Sequence, residues 1–209
     1  PYGPAWNGSF PEARCTPLID GQRIYVLSGR DQMACLHAGS GEEIWSVDVH
    51  RRYESVFDMF GVSESLLMAE DRIIASPCGN RTTVVALDKM TGETVWESRP
   101  LNTPRSNISP ALIEHCGNQY IISATQTHVV SVSAGDGEIM WTYHYNILDS
   151  LDQNTTILTN VPAYSDSCLW ITGGWDVSSV MLEIAPDGRS VQEKFVDQTF
   201  DNQNHGVVL

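Results

Sequence analysis

Three times in this chain a tryptophan follows a glycine by four residues: Gly41 and Trp45, Gly92 and Trp96, Gly137 and Trp141. The tryptophans lie 51 and then 45 residues apart, and Gly188 follows Gly137 by 51 in a degenerate fourth copy with no tryptophan where one is due. A period of this length marks a solenoid, a propeller or an array, whose units bury their apolar faces only against one another. The repeat unit therefore constrains the fold before any single residue does.

Within one unit the pattern is that of short strands. The first unit contains runs at 16–21, 23–29, 32–37 and 42–49, rich in β-branched and aromatic residues and bounded by Gly, Asp or Ser. The layout recurs at 65–68, 72–75, 83–87 and 94–96, and again at 110–113, 120–123, 128–132 and 138–141. A fourth set lies at 162–164, 169–172, 177–184 and 189–196. Four antiparallel strands joined by tight turns make one blade of a β-propeller. The sequence thus predicts an all-β propeller with blades at about 16–49, 64–99, 109–145 and 160–197, after an irregular lead-in over 1–15. No stretch sustains a helical period, so almost no helix is expected.

Turn chemistry explains the spacing. Gly41, Gly92, Gly137 and Gly188 fall at the hairpin between the third and fourth strands, where a residue with positive φ is needed. Trp45, Trp96 and Trp141 then fall partway along the outer strand, where a large flat ring packs between blades rather than against a ligand.

The run Ala86-Leu87-Asp88-Lys89-Met90-Thr91-Gly92-Glu93-Thr94-Val95-Trp96 resembles the tryptophan-docking motif, A-x-D-x-x-T-G-E/K-x-x-W, of the pyrroloquinoline quinone (PQQ) type propeller repeat. That repeat occurs in quinoprotein alcohol dehydrogenases and in many non-enzymatic relatives. The resemblance extends over residues 16–196, with His37 and Ser133 in place of Asp88. It implies a propeller of about six to eight blades, within the general range of about four to eight. Residues 204–209 read as the innermost strand of a further blade. A piece of a larger propeller, a closed four-bladed ring and open halves that self-associate all remain open, because an uncovered blade face and strand edge invite association.

Composition narrows the partners. Asp and Glu outnumber Lys and Arg by 26 to 12, a formal charge of −14, which argues against nucleic acid and anionic membrane surfaces, since both need a basic footprint. No apolar run is long enough to span a bilayer and no signal-peptide pattern is present. The chain starts without Met, at Pro1, so a targeting segment, were there one, would have been removed or would lie outside it. Together with the resemblance this suggests a periplasmic or secreted protein, with lipid anchoring as an option.

Chemistry in a propeller gathers at the channel mouth, built from the loops that lead into each innermost strand. Small hydroxyls at Thr16, Ser65 and Ser109 occupy equivalent strand starts and satisfy backbone groups there. Arg14, Arg105, Asn160 and His205 are the better candidates for ligand contacts, since arginine can clamp a carboxylate or a quinone oxygen. Asp149, Asp152, Gln153 and Asn154 cluster in a long loop, read as solvated rather than cation-binding. The five cysteines, Cys15, Cys35, Cys78, Cys116 and Cys168, include no adjacent pair and no C-x-x-C, and read as packing or turn thiols. No metal site is expected. Four N-x-S/T sequons, at Asn7, Asn80, Asn107 and Asn154, would matter only in a eukaryotic secretory protein.

Three functions fit. The first is a non-catalytic scaffold that binds a protein or peptide partner, or a small ligand at the channel mouth, without a cofactor. The alternative is a PQQ-dependent alcohol or sugar dehydrogenase of which this chain is part, which would require PQQ and calcium. The second alternative is a carbohydrate-binding propeller, supported by the aromatics Tyr53, Trp170 and Trp175 if these are exposed.

Overall fold

The computed structural model describes residues 14–56, 61–145, 159–173, 178–200, 202, 206 and 207. The architecture is that of an all-β propeller: four antiparallel sheets, each of four strands in simple sequential order. The chain divides into two compact units, Pro1–Arg105 and Ser106–Leu209, each carrying two of these blades.

In the first unit one blade consists of β1 (Leu18–Asp20), β2 (Arg23–Leu27), β3 (Gln32–His37) and β4 (Glu43–Asp48). After a single helical turn, α1 (Val49–Tyr53), the next blade follows as β5 (Leu67–Ala69), β6 (Arg72–Ala75), β7 (Val85–Asp88) and β8 (Thr94–Glu97). The second unit holds β9 (Ala111–His115), β10 (Asn118–Ala124), β11 (His128–Ser133) and β12 (Ile139–His144) in one sheet. Its other sheet is β13 (Ala163–Ser165), β14 (Cys168–Ile171), β15 (Ser179–Ile184) and β16 (Val191–Asp197).

Burial follows position in the blade. Ile73, Ile74, Val85, Ala86 and Leu87 on the middle strands of the second blade are all sequestered from solvent, as strands covered on both faces must be. On the outermost strand β4 only Trp45 and Val47 are buried, alternating with exposed Ile44, Ser46 and Asp48. α1 starts where Asp48 Oδ1 accepts the Arg51 amide at 2.9 Å. It stops at Glu54, whose φ of 53° is left-handed. Five residues are too few to display the periodicity that announces a helix in sequence.

The hairpins between third and fourth strands share one bond pattern. The Gly41 amide donates to His37 O at 2.8 Å, Gly92 to Asp88 O at 2.9 Å and Gly137 to Ser133 O at 3.0 Å. Asp88 Oδ1 also accepts the amides of Met90 and Thr91, each at 2.9 Å. His37 performs a similar service with Nδ1, which receives the Ser40 amide at 3.1 Å. The departure from the repeat consensus at His37 therefore keeps the turn closed.

Each blade carries one bulge, immediately after the residue that pairs with the position of the tryptophan: Cys35 with Trp45, Ala86 with Trp96, Ser131 with Trp141. In the fourth blade the same bulge follows Met181, which pairs with Phe195. Phe195 thus fills the place of the missing tryptophan, and its ring is 5.4 Å from that of Trp170.

Within the first unit, Trp45 lies over the next hairpin. Its Nε1 donates to Lys89 O at 3.1 Å, and the hydroxyl of Tyr25 donates to the same carbonyl at 3.1 Å. In the second unit the corresponding carbonyl is that of Ala185, three residues before Gly188 as Lys89 is before Gly92. It accepts His115 Nε2 at 2.8 Å, and Trp141 Nε1 is buried without a partner among the described residues.

Two sequence expectations need correction. Tyr53 is fully buried, with its hydroxyl 2.7 Å from Thr94 Oγ1, and Trp170 is 9% exposed beneath Phe195 and Phe200. Neither offers a free stacking face, because α1 turns Tyr53 inward and Trp170 sits on an inner strand; Trp175 lies outside the described residues.

Candidate functional site

The site grows from three loops of the first unit. The turn between β2 and β3 holds Asp31 at φ 63°, a conformation that Asp tolerates better than most side chains. The Asp31 amide donates to Ser28 O at 2.9 Å, and its carbonyl accepts the Val49 amide at 2.9 Å, tying this turn to the start of α1. Ser55, two residues past α1, donates its hydroxyl to Asp31 Oδ2. Arg105, on the strand connection that leaves the second blade, directs Nη2 at both carboxylate oxygens, 3.0 Å from Oδ2 and 3.2 Å from Oδ1.

The ion pair is interior: Asp31 is wholly buried and Arg105 is 3% exposed. Burial on its own opposes the charge of Arg105, yet Asp31 and Glu64 hold its guanidinium firmly protonated. Glu64, 1% exposed, accepts the Ser76 amide on Oε1 at 2.8 Å. Burial pushes its carboxyl up to about 7, against the opposing pull of Arg105 and the Ser76 amide. Arg105 Nε and Nη1 are buried with no hydrogen-bond partner among the described residues. Two buried carboxyls thus share one guanidinium, and neither faces solvent.

Cysteines flank this network. Burial pushes the thiols of Cys15 and Cys78 up to about 12, so neither is a thiolate nucleophile at neutral pH. No disulfide joins the five cysteines; Cys35 and Cys78 are buried, while Cys116 is exposed in a turn at φ 50°.

The sequence-derived candidates separate. Arg105 is brought together with Asp31 and Glu64 inside the fold. Arg14 is exposed beside the hydroxyl row, where the Thr16 amide donates to Ser65 Oγ at 2.9 Å. In the second unit Asn160 is 6% exposed and donates Nδ2 to Thr172 Oγ1 at 2.8 Å and to Asn202 O. His205 lies outside the described residues, as do Asp149, Asp152, Gln153 and Asn154. Asp31 and Glu64, which complete the network, escape sequence reasoning. Glu64 sits in a Ser-Glu-Ser loop and Asp31 in a Gly-Arg-Asp turn, both ordinary solvated patterns.

A quinone with its calcium requires convergent oxygen ligands and an arginine free to reach them. Among the described residues no group of three or more His, Cys, Asp or Glu is placed to hold a metal ion, and Arg105 is spent on Asp31.

Comparison with known proteins agrees with this architecture. A family described as "Outer membrane protein assembly factor BamB" matches residues 4–159. BamB from Moraxella catarrhalis superposes with a TM-score of 0.59 at 16% identity, over 88% of this chain and 52% of that one. Quinohemoprotein alcohol dehydrogenase from Comamonas testosteroni gives 0.61 at 14% identity, over 92% of this chain and 36% of its own. That from Pseudomonas putida HK5 gives 0.61 at 16% identity, over 90% and 34%. The chain therefore spans about half the length of the first of these structures and about a third of the other two. No curated sequence matches it.

Proposed function

The chain belongs to the family described as outer membrane protein assembly factor BamB, which matches it over residues 4–159, and we propose that it is a non-catalytic propeller scaffold that binds an extended polypeptide outside the cytoplasm. The periplasm, or secretion, is the compartment this reading requires. The tryptophan-docking role suggested by the repeat belongs to the same reading: Trp45 ties blade to blade and leaves the outer strands for partners.

The observation that carries the proposal is the state of those outer strands. β4 and β8 end their sheets, and each carries an exposed apolar side chain beside acidic ones. Ile44 is 42% exposed next to Glu43, and Val95 is 47% exposed near Glu93 and Glu97. A strand that ends its sheet is what strand addition uses: backbone bonds give affinity and alternate side chains give specificity. Arg105, singled out as a contact for a small ligand, is by contrast paired with Asp31 inside the fold.

The test is an anisotropy titration with a labelled ten-residue peptide of alternating apolar and polar residues, of the kind found in outer-membrane β-strands (about 9–11 residues). Saturable binding, weakened about five- to tenfold by Ile44→Asp or Val95→Asp, supports the proposal. Absence of binding overturns it. A stoichiometric absorbance change with PQQ and calcium would put a dehydrogenase in its place.

No helix among the described residues is long and apolar enough to cross a membrane.

A further inference from the structure

We propose that His128 and His144 form a binding site for a first-row divalent transition metal such as zinc, nickel or copper. The two residues face each other across β11 and β12, at the first position of one strand and the last of the other. The Tyr145 amide donates to Thr127 O at 3.0 Å. That bond makes the histidines a non-hydrogen-bonded pair, the kind whose side chains come closest across a sheet.

The ring geometry suits a shared ion. The imidazole centroids are 4.9 Å apart with planes inclined at 64°. A metal–nitrogen bond of about 2.0–2.1 Å places the ion about 3.2 Å from each ring centre. Two rings separated by 4.9 Å then subtend about 100° at the ion, near the tetrahedral value that zinc prefers. Rotation about χ1 and χ2 aims a nitrogen of each ring at the shared ion, and water completes the coordination.

An adjacent hydroxyl accommodates the required tautomer. Thr127 Oγ1 lies 2.8 Å from His128 Nδ1. With Nδ1–H donating to that oxygen, the Nε2 lone pair is directed away from it, as in most metal-bound histidines, whose second nitrogen is held by a hydrogen bond. Imidazole nitrogen selects zinc, copper and nickel over magnesium or calcium, which seek oxygen.

Nothing in the repeat itself calls for this pair. The equivalent positions of the first blade, three residues from the Cys35–Trp45 pair, carry Gln32 opposite Asp48. A metal here would clip the start of β11 to the end of β12.

Calorimetric titration of the full chain, without a histidine tag, by zinc chloride and then nickel chloride tests this, together with NMR of the histidine side chains. The expected result is binding of a single ion, weakened about tenfold or more in His144→Gln and in His128→Gln, and unchanged in His37→Gln. His144 is exposed, so its variant keeps the fold, which a melting curve verifies. Equal zinc binding by wild type and the His128→Gln/His144→Gln double variant overturns the proposal. So does the absence of zinc binding, or histidine 128 and 144 resonances that stay in place at saturating zinc.

Discussion

The indole of Trp45 rests on the backbone of Gly92. A Cβ built on that glycine would stand 2.7 Å from Cε3 and 2.8 Å from Cδ2 of the ring, closer than carbon atoms approach. The glycine is needed twice, for its φ of 72° and for the space above it. Gly92→Ala should therefore cost about 1–2 kcal/mol for the left-handed backbone and about 1–3 kcal/mol more for the clash. Gly41 has a similar φ of 74° but nothing within 4 Å of its Cβ position, so Gly41→Ala should cost only the first contribution. Urea unfolding of the two variants measures the difference.

The buried indoles of Trp45 and Trp141 should respond differently to loss of the N–H. Trp45→Phe removes a bond to Lys89 O, while Trp141→Phe removes a donor that already lacks an acceptor. The first should cost about 1 kcal/mol more than the second, read from the shift in denaturant midpoint. Equal costs would mean that the Trp45 bond contributes nothing.

Breaking the interior ion pair should be severe. Arg105→Met leaves Asp31 charged and buried and should cost about 3–5 kcal/mol. Asp31→Leu combined with Arg105→Met should cost less than the two single variants added together, because no orphaned charge remains. A thermal-melt double-mutant cycle checks the sign of that coupling.

Glu64 gives the fold a pH dependence. Its carboxyl titrates near 7 in the folded chain and near 4.3 when unfolded. The folded state therefore holds the extra proton between these values. The associated stability is fully present below about pH 4 and is lost as pH rises through about 7, at most about 4 kcal/mol in all. Wild type should melt progressively lower between pH 5 and 8 than Glu64→Gln does, with the two profiles converging in shape above pH 8. A constant offset between them over that range would contradict the assignment.

Sequence periodicity was a good guide wherever a turn dictates residue type. The strands around Gly41, Gly92 and Gly137 fall close to where spacing and β-branched runs place them, because the hairpins need glycine and the outer strands need an aromatic. Phe195 was not legible as the substitute for a fourth tryptophan: its register is fixed by the bulge after Met181, which leaves no mark in composition. The site was less legible still. Arg105 could be singled out as a loop arginine, but its partner Asp31 lies 74 residues earlier and only the packed fold joins them. Tyr53 read as a possible surface aromatic because a one-turn helix has too few residues to reveal which face it buries.

The most direct measurement is hydrogen–deuterium exchange of the full chain with and without the extended ten-residue peptide described above. A scaffold that binds by strand addition should slow exchange along residues 43–48 and 94–97, the free edges carrying Ile44 and Val95. The backbone around Asp31, Glu64 and Arg105 should be unchanged. Protection confined to the loops of Arg14 and Arg105, or none anywhere at saturating peptide, would contradict it.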